Sequence, residues 1–204
     1  MNWLAHLFLS EQNTNFQLGN ILADPLKAKS WKNASDDLKK GMYIHKVIDA
    51  YADSHEIVKR SKNRLRKNGL LRAVIVDLTY DYFLSKNWNM YSDISLENYT
   101  NEFYIQAQNR VEILPSKASV FVKSLIKNDV LNKYNSIELL EIAFKQLDKR
   151  LSARLLKREP ASLYFNEVYQ NIENLENDFL EFFPQLCLHV KSQMNENKLT
   201  HWKL

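Results

Sequence analysis

Eight side chains near the start of the sequence have the types needed to hold a metal ion or move a proton: His6, Asp24, His45, Asp49, Asp53, His55, Asp77 and Asp81. They interrupt apolar stretches at helical intervals, a pattern that a solvated surface does not need. His45 and Asp49 are four residues apart, as are Asp77 and Asp81, and side chains at that spacing lie about 5–6 Å apart on one helix face. Each helix can therefore offer two ligands to one ion. A carboxylate inside VIVDLTYDYFL is costly to bury ionised, so it must be paired, protonated or bound to a cation. Read singly, each residue has a plain structural role open to it. His45 can be a satisfied core histidine, Asp49 a partner of Lys46 or Arg60, Asp53 an N-cap, and Asp81 an acceptor for a tyrosine hydroxyl. Read together, histidine and aspartate without cysteine suit Mn²⁺, Mg²⁺ or Fe²⁺ better than structural zinc, in octahedral geometry with water at open positions.

The elements that must position these groups are helices. Only 3 glycines and 4 prolines occur in 204 residues, too few for the turns of a sandwich, barrel or Rossmann-type fold. Apolar residues recur at three and four throughout, and no pair of alternating runs flanks a two-residue turn. The fold class is all-α, a single compact multi-helix domain over residues 1–204. Helices are expected from Asn2 to Ser10, Ser35 to Ala52, Asp53 to about Lys67, Leu70 to Lys86, Ser95 to Val111, Ser116 to Lys127, Ser136 to Arg150 and Ser162 to Phe183. Gly19 to Pro25 reads as a turn into a brief helical piece, Asp53 with Glu56 as a capping box, and Pro115, Pro160 and Pro184 as punctuation. The stripe Val168, Ile172, Leu175, Phe179 and Phe182 is core packing.

No stretch reaches the roughly 18 apolar residues of a membrane span, and the mean hydropathy is −0.43. The start lacks a basic segment and a small-residue cleavage site, so a mature, intracellular N-terminus is expected. The single Cys187, in an apolar run, fits a reducing, cytoplasmic compartment and an inert thiol. No phosphate-binding glycine loop, serine elbow or paired-cysteine motif occurs, which removes support for nucleotide-dependent transfer and serine hydrolysis.

A formal net charge of +4 points to an acidic partner. Lys59, Arg60, Lys62, Arg64, Arg66, Lys67 and Arg72 follow one another with no acid among them. A solvated helix face is the plain reading of that run, and a surface for an acidic partner, carried by Lys59, Arg60, Arg64, Arg66 and Lys67, is the functional one. A second cluster, Lys145, Lys149, Arg150, Arg154, Lys157 and Arg158, can extend it.

MNWLAHLFLS, GNILAD, IHKVIDAYADSH and DLTYDYFLSKNW, in that order and at these intervals, resemble the acyl carrier protein phosphodiesterase family. The resemblance covers the chain, densely to Trp88 and more weakly through RLSARL and NDFLEFFPQL. It implies a Mn²⁺-dependent cytoplasmic hydrolase of fatty acid biosynthesis that removes 4'-phosphopantetheine from holo-acyl carrier protein, with no nucleic acid or membrane partner. It also implies a helical fold distantly similar to HD-domain phosphohydrolases, although the sequence has no adjacent His-Asp pair. Carried over onto matching positions, Asp24, His45, Asp77 and His6 are candidate metal ligands. Asp49, His55 and Asp81 are candidate catalytic groups, with His55 or Asp81 the expected proton acceptor for the attacking water or donor to the leaving oxygen. Two other readings compete: a metal-dependent phosphohydrolase of nucleotides or other small phosphoesters, and a non-enzymatic basic helical module that binds nucleic acid.

Overall fold

In the computed structural model, which describes residues 1–203, the chain is all helix and turn, with no strand among the described residues. The α-helices are α1 (Trp3–Phe8), α2 (Thr14–Leu22), α3 (Asp36–Ser54), α4 (Glu56–Arg64), α5 (Arg72–Lys86), α6 (Trp88–Tyr91), α7 (Leu96–Gln108), α8 (Ser116–Lys127), α9 (Ile137–Asp148), α10 (Ala153–Arg158), α11 (Tyr164–Gln170) and α12 (Ile172–Lys191). Capping fixes many of their starts. The side chains of Asn13, Ser35, Ser95, Ser136 and Ser152 accept the orphan backbone N–H groups that open α2, α3, α7, α9 and α10.

α5 is the central element. Ile75, Val76, Tyr80, Phe83 and Leu84 are buried on it, and α1, α4, α9 and α12 pack around it. The closest helix pair is α2 with α3. A Cβ on Gly19 would overlap the Leu38 carbonyl oxygen, and one on Gly41 would overlap the Phe16 carbonyl oxygen. The two glycines thus let the backbones of α2 and α3 touch, which side chains would prevent. That contact brings Asn20 of α2 against His45 of α3.

Three boundaries differ from expectation, each for a local reason. Gly19 lies inside α2 rather than in a turn, because the close approach to α3 uses its missing side chain. α3 runs through Asp53 to Ser54, and His55 rather than Asp53 caps α4, its Nδ1 accepting the Ile57 N–H at 3.3 Å. The helix expected over 162–183 is divided at Asn171, whose side-chain amide donates to the Glu167 carbonyl. α12 then continues through Pro184 to Lys191. A proline inside a helix costs about 3 kcal/mol, which the buried residues Phe182, Phe183, Leu186, Cys187 and Val190 around it offset. Cys187 is buried, and burial raises its thiol pKa, consistent with an inert side chain. No helix of the described residues is long and apolar enough to cross a membrane.

Candidate active site

α1, α2 and α3 converge on one cluster. The His6 and His45 rings stack with centroids 3.9 Å apart, and ligand atoms of His6, His45 and Asp49 all lie within 4.8 Å of one another. Asn20 sets the imidazole orientations. Its side-chain nitrogen donates to the His6 carbonyl at 2.8 Å and to Ser10 Oγ at 2.9 Å, which leaves Oδ1 as the atom accepting from His6 Nδ1 at 2.9 Å. The Asn20 backbone carbonyl accepts from His45 Nδ1 at 2.8 Å. Both histidines therefore carry hydrogen on Nδ1 and turn Nε2 the same way, as hydrogen-bonded metal-binding histidines do.

Each Nε2 then faces oxygen acceptors only. His6 Nε2 lies 3.2 Å from the Met1 carbonyl and 3.2 Å from Asp49 Oδ1, and His45 Nε2 lies 3.1 Å from both Asp24 Oδ1 and Asp49 Oδ2. An unprotonated nitrogen gains nothing from such neighbours, so each position calls for a proton or a metal cation. Burial works against charge on His45, but Asp24 and Asp49 outweigh it and hold its pKa at about 9. Burial lowers the pKa of His6, and the neighbouring His45 charge lowers it further. His6 thus presents a lone pair to a carboxylate oxygen, an arrangement that a divalent cation between them would satisfy. Asp49 pays a burial cost as an anion, yet its contacts with both histidines hold its pKa well below the usual carboxylate range.

A stability consequence follows for the metal-free protein. The folded pKa of His45 lies above its unfolded value near 6.5, so its contribution is complete below that pH and is lost as pH rises through about 9. Thermal unfolding temperature should decline across that window, and His45→Gln should flatten the decline. A wild-type curve already flat there would show that His45 is not charged in the fold.

Asp24 and Asp77 stand at the margin. Asp24 is largely exposed and touches the cluster through His45, which lowers its pKa. Asp77 and Asp49 each place an oxygen 3.3 Å from the Met1 ammonium. Burial disfavours that ammonium charge, but the two aspartates outweigh it and raise its pKa to about 10. Asp77 therefore meets the centre through Met1 and contacts neither histidine.

Asp81 and His55 are placed differently from the proton-transfer role expected of them. Asp81 is fully buried, and its two oxygens accept the Leu4 and Ala5 N–H groups at 2.9 and 3.1 Å. Burial raises its pKa to about 7, against the pull of those two bonds. Its carboxylate closes the N-terminal end of α1 and so positions His6. His55 spends Nδ1 on capping α4 and packs against Tyr51 and Phe182. Asn20 and the Met1 ammonium escaped the sequence reading. A polar side chain on the apolar face of GNILAD, four residues before Asp24, was the available signal for Asn20.

The basic run on α4 is largely neutralised from α12 and α11. Arg60 Nε and Arg64 Nε donate to the buried Asp178 at 2.8 and 2.7 Å, Ser61 donates to it at 2.8 Å, and Arg60 also pairs with Glu181. Arg66 pairs with Glu167 and lies over the Tyr164 ring, and Lys59 pairs with Glu56. Lys67 is exposed with no carboxylate partner among the described residues. The expectation of an unbalanced basic face on α4 is thereby corrected: its acids come from distant sequence. Arg64→Ala should therefore lower stability by about 1.5–3 kcal/mol, the usual scale for hydrogen bonds to a charged group, while leaving kcat/KM of the folded protein near wild type. Chemical denaturation and steady-state kinetics separate the two effects, and a raised KM at unchanged stability would restore α4 as a docking face.

Residues 1–186 match the family model described as acyl carrier protein phosphodiesterase. Proteins named acyl carrier protein phosphodiesterase from Enterobacter sp. (strain 638) and Klebsiella pneumoniae subsp. pneumoniae are each 27% identical, covering 95% and 97% of this chain and 99% of each relative. One from Escherichia coli O139:H28 is 25% identical over 91% of this chain and 95% of its own. No solved structure matches the chain, so the expected HD-like architecture has no structural counterpart to support it.

Proposed function

The chain belongs to the acyl carrier protein phosphodiesterase family, a family of hydrolases acting on a phosphodiester bond, and from that premise we propose that it hydrolyses holo-acyl carrier protein to the apo protein and free 4'-phosphopantetheine with a divalent cation held by His6, His45 and Asp49. The observation that carries the cation is the pair of Nε2 atoms turned toward carboxylate and carbonyl oxygens with Nδ1 already committed to Asn20. Mixed nitrogen and oxygen donors without thiolate suit Mn²⁺, or Mg²⁺ or Fe²⁺ in its place. When bound, such an ion supplies charge neutralisation at phosphate oxygens and lowers the pKa of water from about 15.7 toward about 7.

The chain's own groups divide the remaining work. Asn20 locks both imidazoles, and Asp81 locks the end of α1 that carries His6. Asp49 balances both rings. Asp24, solvent-facing and bonded to His45, is the carboxylate that takes the proton from the attacking water and passes it to the serine oxygen as its bond to phosphorus breaks. The buried, unreactive Cys187 supports action in a reducing compartment such as the cytoplasm.

Incubation with holo-acyl carrier protein, bis(p-nitrophenyl) phosphate and nucleotides in parallel tests the substrate. Free 4'-phosphopantetheine in the filtrate of the first reaction is expected. Cleavage of nucleotides with an intact carrier would replace this reading by a general phosphohydrolase, and salt-sensitive nucleic-acid binding without any cleavage would replace it by a binding module.

A further inference from the structure

Beside the cluster runs a groove of about 1040 Å³ walled by α8 and α9, with α5 and α1 at its floor. It exceeds the upper end of the roughly 300–1,000 Å³ usual for small-molecule sites. Asp24, which bonds His45, is also one of its lining residues, so the groove opens directly beside the catalytic centre. Its walls are mostly apolar: Val120 and Phe121 come from α8, Leu139 and Ile142 from α9, and Val74 and Leu78 from α5. Val120 and Ile142 remain 68% and 45% exposed, an unusual cost for large apolar side chains on one concave face.

Two polar features say what fits there. Asn2 lines the groove, and its side-chain Nδ2 is buried without a hydrogen-bond partner, a donor waiting for an acceptor. Lys117, Lys133, Lys149 and Arg150 also line it, and none pairs with a carboxylate among the described residues, in contrast to the arginines of α4. The occupant is therefore long, with apolar stretches between polar groups, able to accept a hydrogen bond along its length, and attached to something anionic.

Resting on the function proposed above, we infer that this groove receives the 4'-phosphopantetheine arm, with its phosphate at the Asp24 end and its pantetheine chain, with any acyl group on the thiol, between α8 and α9. The arm's amide carbonyls supply the acceptor that Asn2 lacks. The four cations face the acidic carrier and take over the docking role first assigned to α4.

Binding of free 4'-phosphopantetheine, measured by saturation-transfer NMR on metal-free protein, tests the groove apart from turnover. Wild type should bind, and Ala143→Trp, which fills the half-buried α9 wall, should weaken binding by about tenfold or more. Ile142→Glu, at an exposed position, gives the same comparison without repacking the wall. Lys149→Glu with Arg150→Glu should raise KM for the carrier with kcat unchanged. Absent binding to wild type, binding equal in both groove variants, or a concentration-dependent dimer that Ala143→Trp abolishes would each overturn the assignment. The enzymatic reading is judged separately: arm binding without carrier cleavage keeps the groove and rejects the hydrolase, and cleavage with variant-insensitive arm binding does the reverse.

Discussion

Asp49→Ala should lower kcat/KM for holo-acyl carrier protein by about a thousandfold or more, equivalent to about 4 kcal/mol of transition-state stabilisation. The Asp49 carboxylate contacts His6, His45 and the Met1 ammonium together. Removing it leaves two imidazoles without their shared counter-charge and takes an oxygen donor from the proposed cation. Asp49→Asn keeps the volume and should lose nearly as much, because charge rather than shape is what the two Nε2 atoms respond to. Asp77→Ala provides the contrast. Read from sequence alone, Asp77 ranks as a ligand whose loss ends turnover, but among the described residues its salt-bridge partner is the Met1 ammonium. Its removal should cost less than about tenfold. Steady-state kinetics on the three variants, with circular dichroism to verify helicity, ranks them, and an Asp77 effect equal to that of Asp49 would move the centre toward α5.

Gly41→Leu should do comparable damage from outside the chemistry. Any side chain at Gly41 runs into the Phe16 carbonyl, so α3 must move away from α2. Overpacking of this kind costs about 1–3 kcal/mol, occasionally more. The displacement separates His45 and Asp49 on α3 from Asn20 on α2 and from His6, which Asn20 holds. Misplacement by about 1 Å can cost about a hundredfold in rate, and that is the loss expected in the fraction that still folds. Ala50→Leu, at an exposed position five residues beyond His45 on the same helix, should alter neither quantity. Unfolding midpoints and kcat measured together would decide it. A stable, fully active Gly41→Leu protein would mean that the helix contact does not set the site.

The parts of the structure that could be read from the sequence are those carried by local spacing. Scarce glycine and proline with helical periodicity leave only an all-α fold, and Ser35, Ser95 and Ser136 mark helix starts because capping acts over three residues. His45 and Asp49 announce themselves as a pair because four residues make one turn of helix. Contacts across the chain carry no such signature. Asp81 looks like a buried base until its two oxygens are found on Leu4 and Ala5, 77 and 76 residues away. The α4 arginines look unbalanced until Asp178 arrives from α12, 114 residues beyond Arg64. Asn20 is hidden for a related reason: half of its contribution is a backbone carbonyl, which any residue at that position possesses. Pro184 misleads because the burial that outweighs its missing N–H is tertiary.

The most direct test of the central claim is the intact mass of holo-acyl carrier protein after incubation with metal-stripped protein, with and without Mn²⁺. The site geometry predicts loss of the 4'-phosphopantetheine mass only when Mn²⁺ is added, and no loss in either case with Asp49→Ala. An unchanged carrier mass with Mn²⁺ present, or equal loss with and without it, would contradict the claim that His6, His45 and Asp49 form a metal-dependent phosphodiesterase centre.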